Sequence, residues 1–208
     1  MQYIDKKLTI PDTVQAWIDN ENPQKWNEIS QNGNKIHYET LREQLRQEQK
    51  GLCCYCCQIL PEKVTIEHLK ARKNFPDLTF NYNNLLLSCK PNPQNHDPIQ
   101  CDKSKGDDEL DLTPLMKECD IEIKLNLTGE LEWKTDRAEH AINLLNLNNQ
   151  DLCKRRKDLL DGLYESILDL DLEFSKEDMM FLINSMNDTT PQTKELYHYI
   201  SKKNYLDR

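Results

Sequence analysis

Four cysteines within five residues constrain this chain more strongly than any other feature of its sequence. Residues 51–57 read GLCCYCC and contain two overlapping C-x-x-C pairs, Cys53/Cys56 and Cys54/Cys57. A C-x-x-C turn directs two thiolates at one point, and zinc binds four such ligands in a tetrahedron. Two more ligands must come from elsewhere, so this segment has to fold against a distant part of the chain.

Cys89 and Cys101 are the nearest candidates for the other two ligands, and eleven residues separate them. The predicted structural zinc ligands are therefore Cys53, Cys56, Cys89 and Cys101. The sequence leaves open whether His96, Cys54 or Cys57 replaces one of these four. The alternative to metal binding is a set of buried, unligated thiols, because free cysteine is itself among the most buried residue types.

The N-terminus and the cysteine content both favour a reducing compartment. Residues 1–7 read MQYIDKK and lack the apolar block of a secretory signal. No stretch of the chain approaches the roughly 18–20 apolar residues that a membrane-spanning helix needs. Eight cysteines in 208 residues are also few for a disulfide scaffold. We therefore expect a cytoplasmic protein that does not span a membrane and whose closely spaced thiols bind metal.

Charge is distributed unevenly along the chain. The formal net charge is -9, which by itself argues against nucleic-acid binding. Residues 63–105, however, carry seven basic and four acidic side chains and form the only basic segment. A denser basic run at 154–157 lies on a predicted helix, and we interpret it as solvated or partner-facing surface. The glycine-rich phosphate-binding motifs G-x-x-x-x-G-K-[ST] and G-x-G-x-x-G are both missing from the sequence, so ATP hydrolysis is not expected of this chain.

The periodicity of apolar residues divides the chain into three segments. Residues 1–50 are predicted to be helical. Residues 51–110 lose helical periodicity and contain short apolar runs typical of strands. Residues 111–208 open with a predicted β-hairpin near 121–133 and continue as helices. The expected fold is α+β and mostly helical, and the three segments are expected to pack as one compact domain.

Helix starts are predicted from capping boxes, in which two side chains satisfy free backbone N–H groups. Asp12 and Gln15 form one such pair at the first helix, and Asp136 and Glu139 form another after the hairpin. Trp26 lies between the two N-terminal helices and is interpreted as a core aromatic, since a lone large ring beside helices usually fills space.

A second set of chemically active residues lies between the cysteines. The sequence IEHL at 66–69 is followed by Asn84-Leu85 and by CDKSKGD at 101–107. In this order, inside zinc-type cysteines, these residues resemble the HNH endonuclease family. The resemblance covers residues 51–107, and it implies a zinc-stabilised ββα-metal nuclease unit flanked by N-terminal and C-terminal helices.

A narrower likeness covers roughly residues 1–160. The segments CCYC, TIEHLKARKNFPDLTFNYNNLLLSC, CDKSKGD and INLLNLNNQDLCKRR are similar to the HNH subunit of Septu anti-phage defence systems and to retron-associated HNH nucleases. This likeness implies an effector subunit that cuts nucleic acid, with DNA favoured, in a complex with a separate ATPase. A homodimer within that complex is a further expectation.

The chemistry can also be argued from the residues themselves. Cleaving a phosphodiester requires an activated water on one side of phosphorus and a stabilised leaving oxygen on the other. His68 is the candidate base, because a neutral histidine can take up a proton near pH 7. Glu67 and Asp102 are the candidate ligands of a catalytic Mg²⁺ or Mn²⁺ ion, since hard cations prefer carboxylates. Adjacent strand residues face opposite sides, so Glu67 and His68 can cooperate only where the strand ends.

The remaining candidates would support this chemistry. In the resembled family position 102 is usually Asn or His, so Asp102 is a departure that adds negative charge. Lys105, one helical turn further, is expected to approach the same phosphate. Asn84 is expected to hydrogen-bond backbone across the loop and fix the strand that carries the base. Three further basic side chains are equally consistent with phosphate contacts and with solvated surface: Arg72, Lys73 and Lys103.

Two other functions remain open from the sequence. The chain could be a non-catalytic zinc module that docks a partner or nucleic acid and cuts nothing. It could also be a redox protein that uses the doubled C-x-x-C, although the βαβ context of thioredoxin-like motifs is missing. Zinc content separates the redox protein from the other two, and cleavage separates the nuclease from the docking module.

Overall fold

The chain folds as a mixture of helices and short strands. The structure is a computed structural model, and it describes residues 1–31, 33–62, 64–91, 94 and 97–168. The elements in this part are α1 (Asp12–Glu21), α2 (Lys35–Glu48), β1 (Thr65–His68), β2 (Leu85–Ser88), α3 (Asp102–Lys105), α4 (Cys119–Glu122), β3 (Ile123–Leu125), β4 (Leu131–Trp133), α5 (Asp136–Leu144) and α6 (Gln150–Leu168). Short 3-10 helices lie at Trp26–Ser30, Pro76–Leu78 and Tyr82–Asn84. The predicted combination of helix and strand is confirmed at this level.

The two N-terminal helices pack against each other, and α2 also packs against β2. Their buried faces carry Val14 and Trp17 on α1 and Leu41 and Leu45 on α2. The predicted Asp12/Gln15 capping box is wrong, because Pro11 occupies the N-cap and no side chain caps the helix. The carbonyl of Pro11 accepts the backbone N–H groups of Val14 and Gln15. Proline presets a backbone angle suited to a helix start, so the helix begins without a side-chain cap.

An antiparallel pair of strands, β1 and β2, forms the centre of the 51–110 segment. Thr65 pairs with Ser88 and His68 pairs with Leu85, and every residue of β2 is buried. The side chain of Gln49 supplies both a donor and an acceptor to the backbone of Leu87, at 2.9 and 2.6 Å. Helix α2 is thereby joined to the free edge of β2, and the cysteine turn that follows α2 is brought beside the sheet.

The predicted hairpin near 121–133 is present as β3 and β4, but its first strand is shorter than predicted. Backbone bonds from Ile121 and Glu122 to the carbonyl of Glu118 close a helical turn, so the strand begins only at Ile123. Ile121 and Leu127, which continue the alternation in sequence, are both more than half exposed. Alternation alone does not distinguish a strand from the turn that precedes it.

Helix α5 begins one residue earlier than the predicted capping box implies. The cap is Thr135, whose side-chain oxygen accepts the backbone N–H of Ala138 at 3.3 Å. Asp136 and Glu139, the predicted pair, instead lie in the first turn, where acidic side chains interact favourably with the helix dipole. Threonine, like aspartate, is a favoured N-cap residue, and the sequence offers both in adjacent positions.

The basic run at 154–157 does not form one surface. Lys154 and Lys157 are exposed and pair with Asp158 and Asp161 on the same helix. Arg156, in contrast, is 1% exposed and donates to the carbonyls of Gly129 and Leu147. The interpretation of the whole run as solvated or partner-facing surface is therefore wrong for Arg156, which joins α6 to the hairpin turn.

One hydrophobic cluster contains residues from all three segments of the sequence, including Val14, Leu86 and Ile142. No helix in the described part of the chain is both long enough and apolar enough to cross a membrane. The C-terminal helices predicted beyond residue 168 lie outside the described residues.

Candidate functional site

The four cysteines predicted as zinc ligands come together. Cys53 and Cys56 lie in the turn after α2, Cys89 follows β2 and Cys101 precedes α3. Their Sγ atoms all lie within 4.8 Å of one another, with 3.9 Å between Cys53 and Cys101 and 3.7 Å between Cys56 and Cys89. A tetrahedron whose sulfurs lie about 2.3 Å from its centre has edges of about 3.8 Å. The cluster therefore fits a tetrahedral metal ion such as zinc.

Hydrogen-bond donors surround the sulfur atoms of this cluster. The backbone N–H of Cys89 donates to Sγ of Cys53 at 3.3 Å, and the side-chain amide of Gln100 donates to Sγ of Cys89 at 3.7 Å. Burial raises the pKa of Cys53, but hydrogen bonds from neighbouring thiols, first that of Cys101, hold it well below its ordinary value. Donors of this kind stabilise the thiolate form that metal binding requires.

Cys54 and Cys57 lie outside the cluster and shape the turn instead. The backbone N–H of Cys54 donates to the carbonyl of Leu87 at 3.0 Å, and burial raises the pKa of its thiol well above the ordinary value. Cys57 has a φ of 62° and closes the turn through a bond to the carbonyl of Cys53. His96 lies outside the described residues. Within the described part of the chain, the four predicted cysteines form the group of three or more potential ligands that lie close enough together to hold a metal.

A cavity of about 450 Å³ opens where β1 ends and α3 begins. Glu67 and His68 from β1 and Asp102 from α3 all line it. His68 is the last residue of β1, and the chain turns there, so two neighbouring side chains can reach the same cavity. The structure thus brings together the three residues that the sequence assigns to the base and to the catalytic cation.

Glu67 is almost fully buried, and its Oε1 atom accepts two hydrogen bonds. The donors are the hydroxyl of Tyr55 at 2.8 Å and the ammonium group of Lys105 at 3.0 Å. Burial raises the pKa of Glu67 to about 8, and a hydrogen bond and charge repulsion from Asp102 add to the rise, while Lys105 opposes it. Two carboxyls this close are the ligand type that Mg²⁺ and Mn²⁺ prefer.

The imidazole of His68 is held from two directions. Its Nε2 lies 2.9 Å from the carbonyl of Thr79, and its ring meets the ring of Trp26 edge-on at a centroid distance of 4.5 Å. A carbonyl can only accept, so Nε2 carries the proton and Nδ1 keeps a free lone pair. Burial lowers the pKa of His68 to about 4, so the ring is neutral near pH 7.

Asn84 lies immediately before β2, and its side chain bonds to the loop after β1. Its side-chain oxygen accepts the backbone N–H of Lys70 at 2.7 Å. Its side-chain nitrogen donates to the carbonyls of Lys70 and Leu78 at 3.0 and 3.2 Å. These contacts hold the backbone that follows His68, which is the place the sequence reasoning gave to this side chain.

Lys105 was expected to approach a phosphate, but the structure places its side chain in the interior, bonded to Glu67. Its side chain is 1% exposed, and besides Glu67 it donates to the carbonyls of His68 and Gly106 at 3.4 and 3.2 Å. It is not among the residues that line the cavity. A helical turn does bring it to the site, but its buried ammonium group bonds to Glu67 and to the His68 carbonyl on β1 and does not face the cavity.

Basic side chains lie on the rim of the cavity. Arg72 and Lys73 come from the loop after β1, and Lys103 comes from α3. Lys73 pairs with Asp107 at 3.6 Å. Neither Arg72 nor Lys103 has a carboxylate partner among the described residues. The rim therefore carries two exposed cations that form no salt bridge among the described residues.

Three residues that touch the site were missed by the sequence reasoning. Trp26 and Thr79 contact His68, and Tyr55 contacts Glu67. Trp26 lies far from His68 in the chain and reads as an ordinary core aromatic. For Tyr55 the sequence did contain a signal: it lies between two predicted zinc ligands, Cys53 and Cys56, so their position fixes its own.

Comparison with known proteins adds no assignment to these residues. A scan against known protein families finds no match for this chain, and no curated protein is significantly similar to it. A functional conclusion therefore depends on the geometry of the cavity and of the cysteine cluster, together with the motif resemblance.

Proposed function

We propose that this chain is a metal-dependent endonuclease of the HNH type that hydrolyses phosphodiester bonds in nucleic acid, with DNA favoured. One observation carries the proposal: a buried, neutral histidine and two carboxylates line a single cavity beside four clustered cysteines. In this proposal β1, β2 and α3 form the ββα-metal unit, and a zinc ion held by the cysteines stabilises it.

His68 is the proposed general base. The bond to Thr79 fixes the proton on Nε2, so Nδ1 can accept a proton from water. The lowered pKa keeps this nitrogen unprotonated near neutral pH. A phosphate in the cavity would bring negative charge towards the ring and stabilise the imidazolium that forms. Trp26 limits the rotation of the ring, so the accepting nitrogen keeps one position.

Glu67 and Asp102 are the proposed ligands of the catalytic Mg²⁺ or Mn²⁺ ion. Both line the cavity, and their proximity fits one shared cation. A divalent ion bound there would stabilise negative charge on the leaving oxygen. By resemblance to the family, the products are expected to carry 5′-phosphate and 3′-hydroxyl ends.

The rim of the cavity supports nucleic acid as the substrate. Arg72 and Lys103 come from different structural elements, the loop after β1 and α3, and line the same cavity as the proposed catalytic side chains. Both cations are available to contact the phosphates of a nucleic acid bound in that cavity. Basic contacts of this kind position the backbone without reading its sequence.

The net charge of -9 predicts that the chain alone binds nucleic acid weakly. We therefore propose that a separate ATPase subunit delivers the substrate or activates its cleavage, as the resemblance to Septu and retron-associated nucleases implies. The two subunits would form a bacterial anti-phage complex, which can contain two copies of this chain. Efficient plasmid degradation by the purified chain at physiological salt would contradict this part of the proposal.

The direct test compares cleavage of plasmid, linear DNA and RNA by wild type and by His68→Ala, in Mg²⁺ and in EDTA, with and without the co-encoded neighbour. His68→Ala is expected to abolish cleavage while zinc content and folding persist. His140→Ala removes an exposed histidine and should cut like wild type, which makes it the matched control. Full activity of His68→Ala would remove His68 from the mechanism.

The same experiment tests the non-catalytic alternative. A docking module would bind nucleic acid or a partner equally well in wild type, in His68→Ala and after Mg²⁺ removal. It would also produce no nicks with any metal. That combined result would replace the nuclease proposal with the zinc-module function.

A further inference from the structure

Tyr55 lies inside the cysteine turn and touches the catalytic carboxylate. It is the residue immediately before Cys56, and its side chain is fully buried. Its hydroxyl donates to Oε1 of Glu67 at 2.8 Å. One side chain therefore joins the proposed zinc site to the proposed catalytic cation site.

The cysteine turn fixes the position of the Tyr55 backbone. The N–H of Cys53 donates to the carbonyl of Gln58, and the N–H of Cys57 donates to the carbonyl of Cys53. The N–H of Cys54 donates to Leu87 of β2, and the neighbouring residue of that strand, Leu86, pairs with Glu67. The cysteine turn, β2 and Glu67 are thus connected through backbone as well as through the Tyr55 hydroxyl.

The two oxygens of Glu67 have different surroundings. Oε1 accepts from both Tyr55 and Lys105, which are among the most deeply buried side chains of the described part. A carboxylate oxygen with two buried donors is held in one orientation, and the carboxyl group cannot rotate without breaking both bonds. Oε2 accepts from neither of these two donors, so it is the oxygen that a cation shared with Asp102 would use.

We propose that Tyr55 is a positioning residue that couples the cysteine cluster to Glu67, holding Oε1 so that Oε2 can bind the catalytic cation. This inference rests on the proposed function. It assigns the cysteine cluster a second role besides stability, because the metal that orders the turn also orders the carboxylate. Second-shell partners of metal-binding carboxylates commonly change metal affinity by about 10- to 100-fold.

The test is Tyr55→Phe, which removes one oxygen atom and keeps the ring. The measurements are the dissociation constant for Mn²⁺ by electron paramagnetic resonance and the zinc content by elemental analysis, both on the full chain. Tyr82→Phe is the matched control, because the Tyr82 hydroxyl makes a similar bond to Glu48 at 2.9 Å, away from the cavity. Mn²⁺ affinity should fall about 10- to 100-fold in Tyr55→Phe and stay unchanged in Tyr82→Phe, with one zinc ion per chain in both.

Each outcome separates this inference from the proposed function. Unchanged Mn²⁺ affinity in Tyr55→Phe would overturn the positioning role while leaving a cleaving wild type intact. Loss of zinc from Tyr55→Phe would overturn it as well, because the hydroxyl would then support the cysteine turn itself. A wild type that neither binds Mn²⁺ nor cuts nucleic acid would instead overturn the proposed function, and this inference with it.

Discussion

The imidazole of His68 shows how burial sets the chemistry of single residues here. A carbonyl on one side and an aromatic edge on the other leave the ring neutral, with one nitrogen free. The pKa of Glu67 shifts in the other direction, upwards, because its carboxyl group is buried and lies beside Asp102. Both shifts disfavour the charged form, and both arise because the side chains lie below the surface of the cavity.

The first prediction concerns the titration of His68. The ring is expected to stay in its Nε2-protonated neutral form down to about pH 5 and to titrate near pH 4, because burial lowers the pKa from 6.5 to about 4. Nitrogen-15 shifts of the histidine rings measure this directly, and the spectrum of His68→Asn assigns the signal. A midpoint near 6.5 would contradict the buried geometry.

The same shift has a consequence for stability. The unfolded chain binds this proton between about pH 6.5 and 4 while the folded chain does not, so the contribution of His68 to stability is present above pH 6.5 and is lost as the pH falls. The limiting slope is about 1.4 kcal/mol per pH unit. The free energy of unfolding of His68→Asn should therefore depend less steeply on pH in this window.

The second prediction concerns Arg72 and Lys103, the two cations on the rim that form no salt bridge among the described residues. In the His68→Ala background, Arg72→Ala and Lys103→Ala should each weaken binding of duplex DNA and reduce the salt slope by about one. Lys73→Ala should have a smaller effect, since Asp107 already pairs with that ammonium group. Fluorescence anisotropy at salt concentrations from about 50 to about 200 mM measures both the affinity for DNA and its salt dependence.

Lys154→Ala is the control for this series, because Lys154 is exposed on α6 and paired with Asp158. Its binding and salt slope should match those of the background chain. Equal effects of all four substitutions would mean that binding follows net charge alone and that the rim has no special role.

At the scale of the elements, the hairpin turn packs closely against α6 at Gly129. Among the glycines of the described part, Gly129 is the one that lies against another backbone. Gly129 has a φ of 85°, and a Cβ atom there would lie 2.1 Å from the carbonyl oxygen of Cys153. Arg156 donates to the carbonyl of Gly129 from the same helix. Together these contacts hold the β3–β4 hairpin against α6.

Gly129→Ala is therefore expected to destabilise the fold more than an ordinary glycine substitution. Positive φ costs about 1–2 kcal/mol for alanine, and overpacking adds about 1–3 kcal/mol. Gly33→Ala is the control, because Gly33 has a similar φ of 89° but nothing within 4 Å of the new atom. Urea denaturation of both variants measures the difference, and equal losses would show that no steric contact exists at the hairpin turn.

Across the whole molecule, the cysteine cluster joins parts of the chain that are distant in sequence. It connects the turn after α2 to the end of β2 and to the start of α3. The strands β1 and β2 have only four residues each. A two-stranded pair of this length is marginal in isolation, so the cluster and α2 supply the constraint that keeps the cavity in shape.

The final prediction separates the two overlapping C-x-x-C pairs. Cys53→Ser should lose zinc and, with it, cooperative folding of the 51–110 segment, because it removes one of four ligands. Cys54→Ser should keep one zinc ion per chain, since its sulfur lies outside the cluster. Elemental analysis and thermal unfolding of both variants measure this. Zinc loss from Cys54→Ser alone would reverse the assignment of the pairs.

Features that depend on residue spacing could be predicted without coordinates. The C-x-x-C pair and the two later cysteines predicted the cluster that could hold a metal ion, and a histidine beside an acid at the end of an apolar run predicted two residues that line the cavity. The alternation of apolar residues identified the hairpin. Local spacing is sufficient for these features, because they depend on ligand geometry and on the repeat of a strand.

The burial of individual side chains and their long-range contacts became known only from the folded chain. It placed Lys105 behind Glu67 instead of at the cavity, buried Arg156 within a run of exposed cations, and brought Trp26 against His68. These contacts join residues far apart in the chain or depend on which face of a short helix is covered. Burial and long-range contact are properties of the packed molecule, and no local pattern in the sequence specifies them.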